Sequence, residues 1–119
     1  VIKIVALIKR RADLTRDEFS AYYEHRHAPL FHRTIPADVA SAITRYVQNH
    51  AITLGRGNSE SAFDCVTEIG FRDLAGFQLW NRWYLGDDGQ VLRDDERNFM
   101  DVEHRVVVVT EEHDIGVRV

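Results

Sequence analysis

The first ten residues, VIKIVALIKR, and the four consecutive valines Val106 to Val109 put apolar side chains on both alternating sets of a strand. Neighbouring strand residues point to opposite faces, so a strand apolar on both sets needs cover on both sides. With 119 residues, the chain has material for one core, and residues 1–119 read as a single domain. Any sheet holding these two strands must therefore be covered on one face by the chain's own helices and on the other by something else.

The pieces between them fix the order. Thr15 with Glu18 three residues on forms a capping-box pattern that opens a helix through DLTRDEFSAYYEHRHAPLF, from Asp13 to Phe31. Pro29 disfavours helical geometry at Ala28, so the spacing predicts a helix that ends or kinks there, with Pro36 in a loop. Ala40 to Ala51 alternates Ile43, Arg45 and Val47 against Thr44, Tyr46 and Gln48, then runs through the turn-rich LGRGNSES into FDCVTEIGF, a hairpin. Leu74, Phe77, Trp80 or Asn81, and Tyr84 recur at helical spacing within Arg72 to Tyr84. The GDDG stretch breaks that helix, and a short one follows over Gln90 to Phe99. His104 to Glu111 supplies the last strand. The order β-α-β-β-α-β predicts an α+β fold of the ferredoxin-like split βαβ type, an antiparallel sheet with its two main helices on one face. Its uncovered face makes a homodimer through the sheets the economical expectation.

Composition excludes several partners. A chain that is 45% hydrophobic and 29% charged is an ordinary globular domain, and a net charge of -4 leaves no basic stripe for nucleic acid. No apolar run approaches the roughly 20 residues that span a bilayer. The start lacks a signal-peptide cleavage pattern, and the single cysteine, Cys65, can form no disulfide within the chain; both point to a cytoplasmic protein. Cys65 itself reads as a small buried residue in a strand. His25 and His27 lie about 200° apart around a helix, and His25 and His32 roughly 10 Å apart along it, so no metal site is expected. Gly55-Arg56-Gly57 is a turn, since it lacks the strand-to-helix context of a phosphate cradle.

One imidazole stands out. Phe19, Tyr22, Tyr23, Arg26, His27 and Leu30 share a helix face, which places His27 at the edge of the buried stripe. It is either a satisfied core histidine or a proton-transfer group in a pocket. With an unperturbed pKa of about 6.5, histidine can serve as base or acid near neutrality.

The segments IKIVALIKRRADLTRDEFSAYYEHRHAPL, RYVQNH, FDCVTEIGF and VLRDDERNFMD together resemble the EthD domain family of the dimeric α+β barrel superfamily. The most telling parts are the helix start leading to His27-Ala28-Pro29, and Asp95-Glu96 followed by Phe99 and Asp101. The resemblance implies a sheet-to-sheet dimer with a pocket between sheet and helices in each subunit. Relatives in the superfamily include cofactor-independent monooxygenases, lactone isomerases, polyketide cyclases, decarboxylases and haem-degrading enzymes, so the fold does not settle the reaction. Cys65 and Gly70 stand where relatives often carry glycine and a larger aromatic, a departure expected to reshape the pocket.

The residues to watch follow. His27 is the candidate proton carrier, His50 a second one, and Asp95 or Glu96 the carboxylate that would orient an imidazole. Tyr22, Tyr23, Phe31, Tyr46, Trp80 and Trp83 are candidates to hold a ligand, although aromatics on the second helix are equally suited to the core. The expected function is a lyase or isomerase of dehydratase, decarboxylase or cyclase type, working without a cofactor on an aromatic or polyketide-like small molecule. The alternatives are a cofactor-free monooxygenase, or a non-catalytic accessory protein that binds a hydrophobic intermediate.

Overall fold

A computed structural model describes residues 1–54 and 61–118. Four strands, β1 (Ile2–Ile8), β2 (Ile43–His50), β3 (Cys65–Phe71) and β4 (Val106–Glu111), form one antiparallel sheet in the order β2-β3-β1-β4. This is the ferredoxin-like arrangement, reached by α1 (Arg16–Tyr22), α2 (Ala28–Thr34) and α3 (Ala37–Ala42) between β1 and β2, and by α4 (Leu74–Leu85) and α5 (Gln90–Glu96) between β3 and β4. The Gly55-Arg56-Gly57 turn lies outside the described residues.

Register sorts the side chains onto two faces. Ile4, Ala6 and Ile8 of β1 share a face with Thr67 and Ile69 of β3, Tyr46 of β2, and Val107 and Val109 of β4. This inner face carries the helices. Two core clusters form there, one around Phe19, Tyr23, Ile8, Phe99 and Met100, the other around Phe31, Val39, Phe71, Trp80 and Leu92.

The first helix departs from expectation at Pro29. It does not stop: α1 passes through a π-helical turn, Tyr23–His27, directly into α2, which runs on to Thr34. Proline has no N–H to donate and its ring collides with the carbonyl four residues back. The wider turn, in which the Ala28 N–H donates to the Tyr23 carbonyl, makes room for that ring by inserting an extra residue just before it. The same turn aligns the buried face. On a regular helix each step of four residues overshoots by about 40°; the wide turn takes up part of that drift, so Phe19, Tyr23, His27 and Phe31 are all buried. His27 is thus inside the core, 4% exposed, rather than at its edge. The helix ends two residues before Pro36, where Ile35 is extended.

Two strands start later than the spacing predicts, and one residue changes face. Ala37–Ala42, alanine-rich with Asp38 in its first turn, is helical, so β2 starts only at Ile43. A bulge at Thr44 then turns Ile43 onto the inner face, against the second core cluster and away from Arg45 and Val47. Downstream, GDDG folds into a 3-10 turn (Asp87–Gly89), and Val102–His104 forms another, capped by Asp101, so β4 begins at Val106.

Candidate functional site

Between the two core clusters the inner face is not filled. A cavity of about 190 Å³ opens there, floored by Ile4, Ala6, Ile8, Thr67 and Ile69 and walled by Tyr23, His27, Phe31, Trp80 and Leu92. Its polar groups are few, which gives each of them weight in a mostly apolar hollow.

His27 projects into the cavity from the π-helical turn. Its Nδ1 lies 2.8 Å from Asp95 Oδ2 on α5. The other oxygen, Oδ1, accepts the Tyr22 hydroxyl at 2.6 Å and an Asn98 amide N–H at 3.2 Å. Partial burial works against the Asp95 charge, but the bonds from Tyr22, His27 and Asn98 together hold its carboxyl below the usual range. An ionised carboxylate can only accept, so Nδ1 must carry the proton in the His27–Asp95 bond. In the neutral ring Nε2 then bears the lone pair, and it has no hydrogen-bond partner in the protein among the described residues. Phe99, in ring contact at 4.9 Å, buttresses the imidazole.

A second polar group lines the same cavity. Glu96, the last residue of α5, accepts the Tyr84 hydroxyl at 2.6 Å and an Arg105 N–H at 3.0 Å, both at Oε1. Burial, reinforced by the Glu96 charge, raises the Tyr84 phenol, which therefore stays a neutral donor. Asp95 is the residue that orients His27; Glu96 serves this separate cluster.

The other expected residues divide. Tyr23, Phe31, Tyr46 and Trp80 line the cavity. The Tyr23 hydroxyl pairs with Thr67 Oγ1 at 2.6 Å, and burial pushes both the Tyr23 and Tyr46 phenols up. Tyr22 does not reach the cavity; its hydroxyl braces Asp95 from behind. Trp83 packs against Trp80 and stays outside the lining. His50 is also elsewhere, in a separate shallow hollow with Glu24, His32, Tyr46 and Gln48. Both its ring nitrogens are engaged, Nδ1 with Ser20 Oγ at 3.1 Å and Nε2 with Gln48 Oε1 at 2.9 Å, so it is not poised beside His27. The reason is its place along the strand: His50 shares the inner face but sits opposite Cys65, one inner-face step beyond Thr67, which lines the cavity. Cys65 and Gly70 do not reshape the cavity, since neither lines it, and Gly70 instead lies close to Thr44 and Arg45 beside the bulge. His25 and His32 are exposed, and no group of potential metal ligands gathers among the described residues.

Sequence reasoning missed Thr67, Asn81, Met100 and Arg105 as lining residues. Arg105 had no local signal. It sits just outside β4, and only the 3-10 turn before it swings its guanidinium back to Glu96.

The EthD domain model matches residues 11–103, which span the helix carrying His27 and the segment carrying Asp95 and Glu96. The chain belongs to the EthD family. Solved structures agree on the fold. An EthD-family protein from Bacillus halodurans is 23% identical, with 94% of this chain and 98% of that one covered at a TM-score of 0.64. An EthD-like protein from Ralstonia eutropha is 20% identical over 92% of this chain and 89% of that one, at a TM-score of 0.66. A dimeric ferredoxin-like protein of unknown function from Thermobifida fusca is 16% identical over 92% and 88%, at 0.59. No curated protein matches the chain at a significant level. Among the described residues of this EthD domain, no helix is long and apolar enough to cross a membrane.

Proposed function

We propose that this EthD protein is a cofactor-independent lyase or isomerase in which His27 transfers a proton on an aromatic or polyketide-like small molecule. The observation that carries the reading is the His27 ring itself. Asp95 takes its Nδ1 proton side, and Nε2 is left unpaired in an apolar, aromatic-walled cavity. Such a nitrogen can remove a proton from a carbon next to a carbonyl, giving an imidazolium and an enolate. Asp95 stabilises the imidazolium, as a carboxylate behind a histidine base does. Returning the proton to another carbon isomerises the ligand; delivering it to a departing hydroxyl expels water.

The proposal extends to the assembly. The outer sheet face carries Val5, Leu7, Val47, Val66, Val106 and Val108, and among the described residues no helix covers it. A second copy laid face to face would bury it, and relatives of the same fold are described as dimeric.

The test needs no knowledge of the natural substrate. Aryl ketones such as phenylacetone are incubated with the protein in D2O, and deuterium entering the carbon next to the carbonyl is followed by NMR. The protein should accelerate uptake, and His27→Ala should abolish the acceleration while remaining folded. Uptake undiminished in His27→Ala removes this mechanism. Ligands that bind without any exchange favour a carrier of hydrophobic intermediates.

A further inference from the structure

Glu96 is 7% exposed and lines the cavity, yet only one of its carboxylate oxygens is engaged. Tyr84 and Arg105 both donate to Oε1, and Oε2 has no protein partner among the described residues. Oε2 is not among the buried polar atoms left without a partner, so it is open to the cavity and free to accept. Arg105 supplies the compensating charge, so the pair as a whole carries no net charge toward a ligand. What the cluster lacks is one further hydrogen-bond donor.

We propose that Glu96 determines substrate specificity: Oε2 accepts a hydrogen bond from a hydroxyl of the ligand, so the cavity selects neutral hydroxylated aromatics, phenols or enols, over their ethers and over aromatic carboxylates. The assignment rests on the cavity being the ligand site, as the proposed function has it. Three features favour a neutral donor. The cavity lining is mostly apolar and aromatic, Trp80, Leu92 and Met100 among it. An anionic ligand brings no donor for Oε2 and would lose its hydration in a mostly apolar hollow. A ligand lacking a donor would bury Oε2 away from water and give nothing in return.

The roles of the two cavity groups differ. His27 offers a basic nitrogen whose proton count changes, whereas Glu96 is held by Tyr84 of α4 and by Arg105 just before β4 and serves as a fixed acceptor. Both groups line one hollow.

Calorimetric titration of the wild-type chain with 1-naphthol, 1-methoxynaphthalene and 1-naphthoate at neutral pH tests this. A hydrogen bond to a charged acceptor should make the naphthol bind about tenfold or more tighter than the ether, with the naphthoate weakest. Glu96→Gln, which keeps the size of the side chain, should shrink the naphthol preference to about threefold or less and leave the ether's affinity unchanged. His27→Ala should retain the preference, which separates this assignment from the proton-transfer reading: selectivity without deuterium exchange sinks the latter alone. Equal binding of naphthol and ether to the wild type overturns the proposal, even where Glu96→Gln fails to fold. Preference surviving in a folded Glu96→Gln overturns it as well, as does tighter binding of naphthoate. Failure of all three compounds to bind removes the cavity as the ligand site and the role of Glu96 with it.

Discussion

His27 Nδ1 and Asp95 Oδ2 meet at 2.8 Å although 68 residues separate them in the chain. The first comes from a wide turn that interrupts a helix, the second from a short helix between β3 and β4, and only the fold brings them together. If His27 acts as a base, the carboxylate matters by fixing the ring's tautomer and by stabilising its charged form. Asp95→Asn keeps the shape and removes both effects. Exchange or turnover should fall about 100-fold or more, while ligand affinity changes little. Steady-state kinetics that separate kcat from KM read the difference; loss confined to KM would place Asp95 in ligand binding instead.

The same carboxylate sets an acid-side dependence of stability. Its folded pKa lies below the ordinary value of 3.8, so its contribution is complete above that value and is lost as the pH falls through the folded one. Urea midpoints of the wild type should drop on acidification below about pH 4 more steeply than those of Asp95→Asn, because the variant has no such proton to take up. Parallel curves would show that Asp95 gains nothing from Tyr22, His27 and Asn98.

Gly89 makes a backbone contact that any side chain would break. A Cβ there would stand 2.3 Å from the Tyr84 carbonyl oxygen and 2.5 Å from that of Trp83, while its φ of -81° is open to any residue. Close approach, not conformational freedom, requires glycine. Gly89→Ala should cost about 2 kcal/mol or more in chemical denaturation, because the α4–α5 junction must shift to admit it. A neutral outcome would mean that the junction has slack.

Cys65 is 1% exposed, and burial pushes its thiol up to about 11. A thiol that is both covered and protonated is a poor nucleophile. Iodoacetamide at pH 8 should leave the native protein unlabelled over the time in which the urea-unfolded chain takes up one equivalent. Rapid native labelling would show an opening of the sheet at the β2–β3 pairing.

Periodicity was enough for the order of strands and main helices along the chain and for placing Phe19, Tyr23 and His27 on one helix face, because both depend on local spacing. At Pro29 it foresaw an irregularity but not its form: the helix does not end, because a π-helical turn lets Ala28 stay helical before the proline. It put Ile43 on the wrong face, since one bulged residue inverts the alternation on one side of it. At the site, adjacent Asp95 and Glu96 could not be told apart by sequence: they project from one short helix in different directions, one to His27 and Tyr22, the other to Tyr84 and Arg105. His50 went astray for the opposite reason, because sharing a face with a cavity does not place a residue within it.

Val108 offers the sharpest check on the uncovered sheet face. It is 48% exposed in the single chain, pairs with Val5 across the β1–β4 ladder, and points away from every helix. Within the chain a charge there would cost little, since the side chain is half in water already. Face to face with a second sheet, the same charge would be buried without a partner and would cost several kcal/mol. Val108→Glu should therefore convert a dimer into a folded monomer, read by light scattering beside circular dichroism. Its stability should lose the dependence on protein concentration that a dimer has. A wild type that is monomeric at micromolar concentration, or a Val108→Glu variant that stays dimeric, would mean that the valines of β4 do not form the interface.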